Sequence, residues 1–115
     1  MLKQENRLKK RKEFNYIYSN GESSASKYLV LLFTSTPKNP VRVGFSVSKK
    51  IGKAYFRNKI KRRLSSILRD LIALMESEYT YIFVAREGAG DISYAELKQN
   101  VLYLLNKTQK LKDKV

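Results

Sequence analysis

At 115 residues, 43% hydrophobic and 30% charged, the chain has the composition of one folded domain, residues 1–115, rather than of a disordered or membrane-spanning protein. It contains neither Cys nor His, which excludes disulfides, thiol chemistry and most zinc sites and fits a reducing cytoplasm. The net charge of +14 lies within residues 1–63 and predicts a polyanionic partner such as nucleic acid, because clustered Lys and Arg release counterions from phosphates.

The first predicted element is a basic helix over residues 9–19. Two aromatic residues, Phe14 and Tyr18, lie four positions apart and therefore on one face, and Arg7 and Lys10 are among the cations that precede them. Aromatic rings beside cations suit a single-stranded nucleic acid, because bases stack on the rings while phosphates meet the charges. The helical periodicity alone favours the alternative, in which both rings belong to the core.

Two strands are predicted next, over residues 27–36 and 41–48. The second strand alternates between an apolar face of Val41, Val43, Phe45 and Val47 and an opposite face of Arg42, Gly44, Ser46 and Ser48. The apolar face predicts contact with the core. The opposite face allows two interpretations, a shallow trough that a ligand backbone can approach or an ordinary solvent-exposed strand face.

A basic connection, residues 49–53, leads into a long amphipathic helix that begins near residue 55 and ends near residue 76. Its apolar stripe predicts contact with the core and consists of Ile60, Leu64, Ile67, Leu68, Leu71, Leu74 and Met75. At 100° per residue, the side chains turned away from that stripe or flanking it are Asn58, Lys59, Lys61, Arg62 and Arg69, with Arg57 free to swing at the helix start. Like charges this close repel one another, so an anionic ligand is the natural neutraliser.

The last strand, over residues 79–86, is apolar on both faces, which indicates burial on both sides. A capping box formed by Ser93 and Glu96 opens the final helix, and residues 107–115 are predicted to be a frayed basic tail. The order of elements predicts an α+β sandwich. The ten carboxylates form no close sequence cluster, so the residues themselves favour binding over catalysis.

At residues 42–64, the segment RVGFSVSKKIGKAYFRNKIKRRL closely resembles the signature of the bacterial ribonuclease P protein component, whose helix carries the so-called RNR motif. A weaker similarity extends along nearly the whole chain. The resemblance implies an α–β sandwich with a central, mostly antiparallel four-stranded sheet and the element order α-β-β-β-α-β-α. It also implies a left-handed βαβ crossover, similar to one domain of a ribosomal protein, and an additional short strand near residues 22–26.

The function that the resemblance implies is that of the protein subunit of a ribozyme, which removes the 5′ leader from precursor tRNA. In this family the RNA subunit carries the active site of the endoribonuclease. The expected partners are ribonuclease P RNA and precursor tRNA, with no membrane, and the isolated protein is expected to be a cytoplasmic monomer. Mg²⁺ is expected to be bound mainly by the RNA and substrate, with no organic cofactor and no metal site on the protein.

The resemblance also assigns residues to two surfaces. Those expected to bind the catalytic RNA are Arg57, Asn58, Lys59, Lys61, Arg62, Lys49, Lys50 and Lys53. Those expected to form a cleft for the single-stranded leader are Phe14, Tyr18, Tyr28, Arg42, Ser46, Ser48, Arg7 and Lys10, which reverses the core interpretation of the two aromatic residues in the first helix. Ser65 stands where the family usually has Arg, and Arg63 and Arg69 are the nearby cations that could replace it.

Two other functions compete with this one. A structural RNA-binding protein, such as a ribosomal component or an RNA chaperone, could share the charge and the fold, but it has no need of a cleft with exposed aromatic residues. A DNA-binding regulator is less favoured, because the sequence contains no recognisable helix-turn-helix or dimerising helix.

Overall fold

The computed structural model describes residues 2–37 and 39–112, and within them the chain forms three α-helices and four strands. In chain order these are α1 (Arg11–Asn20), β1 (Glu22–Ala25), β2 (Leu29–Ser35), β3 (Arg42–Ser46), α2 (Ala54–Leu71), β4 (Tyr79–Ala85) and α3 (Tyr94–Lys107). Short 3₁₀ turns occupy Gln4–Asn6, Lys49–Ile51 and Ile72–Leu74. The α+β order is the predicted one, and the short first strand lies where the resemblance placed it.

The four strands form one mixed sheet in the order β1-β2-β4-β3. β1 pairs antiparallel with β2, β2 pairs antiparallel with β4, and β3 pairs parallel with β4. The parallel pair is joined by α2, as a parallel connection requires a crossover. The sheet is therefore mostly antiparallel with one βαβ unit, and the left-handed sense of that unit stays a prediction.

The main core lies between the sheet and the two longer helices. β4 occupies the centre of the sheet, and Tyr81, Ile82 and Phe83 are fully buried there, as the prediction of two buried faces requires. The α2 stripe was correctly predicted from Ile60 to Leu71, whose side chains are buried against this face of the sheet. The predicted end near residue 76 is wrong, because α2 ends at Leu71 and Met75 is already extended, paired with Leu111. The predicted capping of α3 is also present, because the Ser93 Oγ accepts a hydrogen bond from the Glu96 N–H at 3.1 Å.

A second, smaller cluster lies on the other face of the sheet under α1. Ile17 is buried there with Leu8 and Ile82, and Phe14 and Leu32 pack against them. Because only a few side chains from α1 reach the sheet, part of this face remains accessible beside the helix.

The prediction of a frayed tail is wrong for residues 108–112. The Glu76 N–H donates to the Lys110 carbonyl at 2.7 Å and the Lys112 N–H donates to the Leu74 carbonyl at 2.7 Å, so this segment pairs with the chain that follows α2. The Lys110 Nζ also lies 4.5 Å from the centroid of the Tyr79 ring. Residues 113–115 of the predicted tail lie outside the described residues.

Candidate RNA interface

The outward face of α2 carries exposed polar and cationic side chains. Ile60 and Leu64 are buried, whereas Asn58, Lys61 and Arg62 on the opposite side of the helix are exposed. This is the arrangement that the helical periodicity predicts, because side chains half a turn apart point in opposite directions. The burial of Ile60 and Leu64 fixes the orientation of α2 on the sheet. The three polar side chains therefore point away from the core at fixed positions along the helix.

Arg57 and Lys59 are less free than the sequence indicated. The Arg57 Nε donates a hydrogen bond to the Gly52 carbonyl at 3.2 Å, and the side chain is only half-exposed. The prediction that Arg57 swings free is therefore wrong, because the turn before the helix brings a carbonyl within its reach. Lys59 is also half-exposed, with its Nζ 5.8 Å from the centroid of the Phe56 ring.

Three further lysines lie at the start of α2. Lys49 and Lys50 are exposed in the 3₁₀ turn, and Lys53 is exposed at the N-cap of the helix. The Lys53 side chain makes no capping hydrogen bond, and the first turn contains no acidic residue. The positive end of the helix dipole is thus surrounded by positive side chains, an arrangement that a bound anion stabilises.

The structure brings Phe14, Tyr18 and Ser46 together in a cleft between α1 and the sheet. The centroids of the two rings are 6.3 Å apart, and the cleft has a volume of about 530 Å³. We call it the α1 cleft; it is lined by Lys9, Arg11, Phe14, Asn15, Tyr18 and Ser46. Tyr18 is 45% exposed and Phe14 is half-buried, so ring faces and cations meet in a groove open to solvent. This combination fits a single strand of nucleic acid.

Gly44 determines how deeply Phe14 sits. A Cβ at position 44 would lie 2.5 Å from the Phe14 Cζ and 3.2 Å from the Leu8 Cβ, so any larger residue would displace the ring. The β3 face that carries Gly44 and Ser46 is therefore partly covered by the Phe14 ring, because Gly44 is buried beneath it. Ser46, farther along the strand, lines the α1 cleft.

Arg7, Lys10 and Arg42 lie together at one end of α1. The Arg42 Nη1 forms an ion pair with the Glu13 carboxylate at 2.9 Å, which fixes its position beside the helix. The Arg7 Nε donates to the Leu2 carbonyl at 3.0 Å. Lys10 is exposed at the N-cap of α1 and has no side-chain capping bond.

Five of the eight residues assigned to the leader cleft do not line the α1 cleft. They are Arg7, Lys10 and Arg42, which lie at the end of α1, and Tyr28 and Ser48. Tyr28 packs against the main core on the side of the long helices, where its ring would contact a Cβ at Gly88 at 3.0 Å. Its expected place with Phe14 and Tyr18 is therefore wrong, because Tyr28 lies before the start of β2 and beside the loop at Gly88. Ser48 is exposed in the connection after β3, and it does not line the α1 cleft.

A second cavity connects the α2 face with the α1 side of the sheet. It has a volume of about 600 Å³, and we call it the junction cavity; it is lined by Leu2, Arg7, Leu8, Lys9, Phe14, Val43, Gly44, Phe45, Asn58, Lys61, Arg62 and Ser65. Phe14 lines both this cavity and the α1 cleft. The two surfaces that the sequence assigned to different RNAs are therefore neighbours.

The N-terminal segment forms one wall of the junction cavity, which was not predicted. The Leu8 N–H donates to the Val43 carbonyl at 3.0 Å, so the segment runs beside the edge strand β3. Leu2 is 4% exposed within the main core. A buried leucine at the beginning of a basic segment is the signal that could have indicated this docking.

The N-terminal segment also explains why Ser65 can stand where the family usually has Arg. The Ser65 Oγ accepts a hydrogen bond from the Leu2 N–H at 3.4 Å, so the smaller side chain leaves space for the N-terminal residues. Arg63 does not replace the missing cation, because its Nη1 donates to the Ile92 carbonyl at 2.8 Å. Arg69 is exposed beside Asp70, with its Nε 3.5 Å from the carboxylate, and does not line the junction cavity.

Comparisons with known proteins agree with this geometry. The family model described as Ribonuclease P matches residues 2–109. The ribonuclease P protein component of Streptococcus pneumoniae is 36% identical over 104 residues, which cover 90% of this chain and 85% of the relative. The solved ribonuclease P protein of Staphylococcus aureus superposes with a TM-score of 0.85 at 29% identity, covering 92% of this chain and 97% of the other. That of Thermotoga maritima superposes with a TM-score of 0.81 at 28% identity, covering 88% and 96%. The chain belongs to the family of ribonuclease P protein components.

Proposed function

We propose that this chain holds two RNAs at once, the ribonuclease P RNA on the α2 face and the 5′ leader of precursor tRNA in the α1 cleft. The observation that carries the proposal is the position of Phe14, which lines both the α1 cleft and the junction cavity beneath Asn58, Lys61 and Arg62. A leader strand that stacks on Phe14 would pass directly beside an RNA that contacts Arg62. The protein can therefore align substrate and catalyst without taking part in the reaction.

Chemistry is assigned to the RNA subunit, and the residues of this chain bind and orient. Across residues 2–37 and 39–112, no three acidic side chains come together as candidate metal ligands. Phosphate oxygens are the hard ligands that Mg²⁺ prefers, so the proposal places the ion on the RNA and the substrate, where it would activate water and stabilise the leaving oxygen. The cations of α2 and the α1 cleft would reduce the repulsion between the two RNA backbones.

The isolated protein is proposed to be a monomer that works in the cytoplasm, where precursor tRNA is made. In the part of the chain that the structure describes, every exposed large hydrophobic side chain is a tyrosine. Scattered tyrosines provide less self-association area than a continuous apolar patch. None of the helices in that part is long and apolar enough to cross a membrane.

Reconstitution tests the proposal. Cognate ribonuclease P RNA and precursor tRNA are mixed at a low Mg²⁺ concentration, with and without the protein, and the release of the 5′ leader is measured. We expect the protein to increase the cleavage rate, and by less as the Mg²⁺ concentration is raised, because cations on the protein and in solution serve the same neutralisation. A rate equal to that of the RNA alone would contradict the proposal and favour a structural RNA-binding protein.

A further inference from the structure

Tyr55, in the first turn of α2, is the most exposed large hydrophobic side chain in the described part of the protein. It is 71% exposed, compared with 59% for Tyr16 and 52% for Tyr103. A single exposed tyrosine needs no explanation by itself. The position of this one on the helix, its support and its neighbours together point to a ligand.

The ring lies on the face that carries the proposed RNA contacts. Tyr55, Lys59 and Arg62 are at positions i, i+4 and i+7 of α2, so they are aligned along one side of the helix. Tyr55 and Arg62 lie opposite the buried Ile60 and Leu64, and Lys59 lies on the flank. At 1.5 Å per residue, the ring is about 6 Å along the axis from Lys59 and about 10 Å from Arg62. An aromatic ring thus occupies the same outward line as two cations.

The neighbouring Phe56 supports the Tyr55 ring from the side. Phe56 lies between two glycines, since a Cβ at Gly90 would be 2.2 Å from its ring and a Cβ at Gly52 would be 3.0 Å from it. The two rings meet edge to face, with centroids 6.2 Å apart and an interplanar angle of 72°. The half-buried Phe56 ring limits the movement of Tyr55, yet it leaves the Tyr55 side chain exposed for another planar group.

The surrounding charge indicates which planar group fits. Lys53 precedes the ring, and Lys59 follows it, with no acidic residue in the first turn of the helix. Tyr103 on α3 differs, because the Nζ of its neighbour Lys107 lies over the ring, 5.6 Å from its centroid. In a nucleic acid, a base can stack on the Tyr55 ring while the phosphates of the same strand bind the cations around it.

We propose that Tyr55 stacks on an unpaired base of the ribonuclease P RNA, while Lys59 and Arg62 bind phosphates of the same RNA. This inference rests on the proposed function and adds a site to it. Stacking contributes affinity without charge, so the Tyr55 contact is distinguishable from the cationic contacts by its salt dependence.

Binding of the isolated RNA subunit to purified protein, measured over a series of salt concentrations, tests the affinity. We expect Tyr55→Ala to weaken binding about tenfold, with the slope of log K against log salt unchanged, and Tyr55→Phe to bind like the wild type. Alanine is the better helix former, so unfolding does not explain a loss. Tyr103→Ala is the matched control and should bind like the wild type.

Fluorescence supplies an independent readout, because the chain contains no Trp. With excitation that is selective for Trp over the remaining tyrosines, the RNA should quench the single Trp in Tyr55→Trp and leave that in Tyr103→Trp unchanged. Wild-type affinity in Tyr55→Ala, or equal quenching at both positions, would overturn the stacking contact and leave the proposed function standing. Failure of the wild-type protein to bind the RNA would overturn both.

Discussion

At the scale of single residues, Phe14 combines two roles that the sequence presented as alternatives. Its ring packs against the cluster of Leu8, Ile17 and Ile82, and the same ring lines the α1 cleft. A half-buried aromatic side chain can do both, because its edge contacts the core while a face remains available to a ligand. Tyr18 is more exposed and makes the cleaner test of stacking.

The leader contact is tested by replacing these two residues separately. We expect Tyr18→Ala to weaken the binding of precursor tRNA to the holoenzyme about tenfold while mature tRNA binds as before, because one stacked base contributes roughly 1–3 kcal/mol. Phe14→Ala should show the same selectivity and also lower the free energy of unfolding by about 2 kcal/mol, since the ring is part of a core cluster.

The control for this pair is Leu32→Ala. Leu32 packs against the same cluster as Phe14 and does not line the α1 cleft. It should lower stability without changing the ratio of the two tRNA affinities. Equal losses for precursor and mature tRNA in Tyr18→Ala would place the leader elsewhere.

The buried Tyr81 makes the free energy of unfolding depend on pH in the alkaline range. Burial raises the pKa of its phenol well above the ordinary value, with smaller contributions from the Glu76 carboxylate and from Tyr79. The phenol is fully buried and donates a hydrogen bond to the Glu76 carbonyl at 2.8 Å. Above pH 10 the unfolded chain releases the Tyr81 proton and the folded chain retains it, so this residue's contribution to stability is complete below pH 10 and is lost as the pH rises.

Urea unfolding at pH 8 to 11 measures this effect. Tyr81→Phe should be less stable than the wild type by about 1 kcal/mol at pH 8, because a hydrogen bond is lost. Above pH 10 the difference should shrink by up to about 1.4 kcal/mol per pH unit, since only the wild type has the buried phenol. A difference that stays constant across the whole range would show that burial does not hold the proton on Tyr81.

Individual contacts are where inference from sequence was least reliable. The exposure of Asn58 and Arg62 followed from helical periodicity, because an amphipathic helix has one way to bury its stripe. Tyr28 was misplaced and Arg57 was wrongly left free, because each depends on a partner that approaches from a loop, at Gly88 and Gly52 respectively. Loop geometry is not encoded in a repeating pattern.

At the scale of elements, the contacts that the sequence did not predict lie at the chain ends. The long helices and the strands β2, β3 and β4 could be predicted because each has a long apolar run or a periodic apolar face. The strand β1 is mostly exposed and was expected only from the resemblance. The docking of Leu2 beside Ser65 and the pairing of Met75 with Leu111 were not predicted, since each joins segments far apart in sequence. The Leu2 backbone N–H donates to the Ser65 Oγ, and Met75 pairs with Leu111 through the backbone. Because nearly every residue has a backbone N–H and C=O, neither contact leaves a repeating sequence pattern.

The N-terminus of α2 has an unfavourable N-cap residue, Lys53, at a position proposed to contact RNA. Ser, Thr, Asp and Asn are favoured at an N-cap because their oxygens accept a hydrogen bond from the first turn, whereas Lys53 provides no such bond. Its positive charge also lies at the positive end of the helix dipole. The α3 N-cap, Ser93, is an ordinary favourable one.

Lys53→Asp should therefore increase the free energy of unfolding by about 1 kcal/mol and weaken binding of the ribonuclease P RNA. Ser93→Ala, the matched change at the other helix, should lower the free energy of unfolding by about 1 kcal/mol and leave RNA affinity unchanged. Urea denaturation and RNA titration of both variants check these opposite outcomes. Unchanged RNA affinity in Lys53→Asp would remove the α2 N-terminus from the interface.

At the scale of the whole molecule, the positively charged half of the sequence forms one surface. Residues 1–63 contain the positive excess, and they supply α1, β3 and the first half of α2, which together surround the α1 cleft and the junction cavity. The sequence therefore indicated which half of the chain supplies the proposed RNA surfaces. It could not indicate that the two proposed RNA surfaces adjoin at Phe14, because that depends on how α1 and α2 lie relative to β3.

The extent of this surface along α2 is measurable by salt dependence. Arg62 and Arg69 are both exposed, seven residues or about 10 Å apart along the helix. Only Arg62 lines the junction cavity, whereas Arg69 has its Nε 3.5 Å from the Asp70 carboxylate. Arg62→Ala should flatten the slope of log K against log salt for RNA binding by about one unit, as the loss of one phosphate contact requires.

Arg69→Ala is the control within the same helix, and it should leave the slope unchanged. The two variants remove the same charge from the same chain, so a general effect of net charge would appear equally in both. Equal flattening would extend the RNA contact along the whole helix beyond Ser65. An unchanged slope in both would contradict a phosphate contact at Arg62, and the +14 charge would then act only as a long-range attraction that draws RNA to the protein.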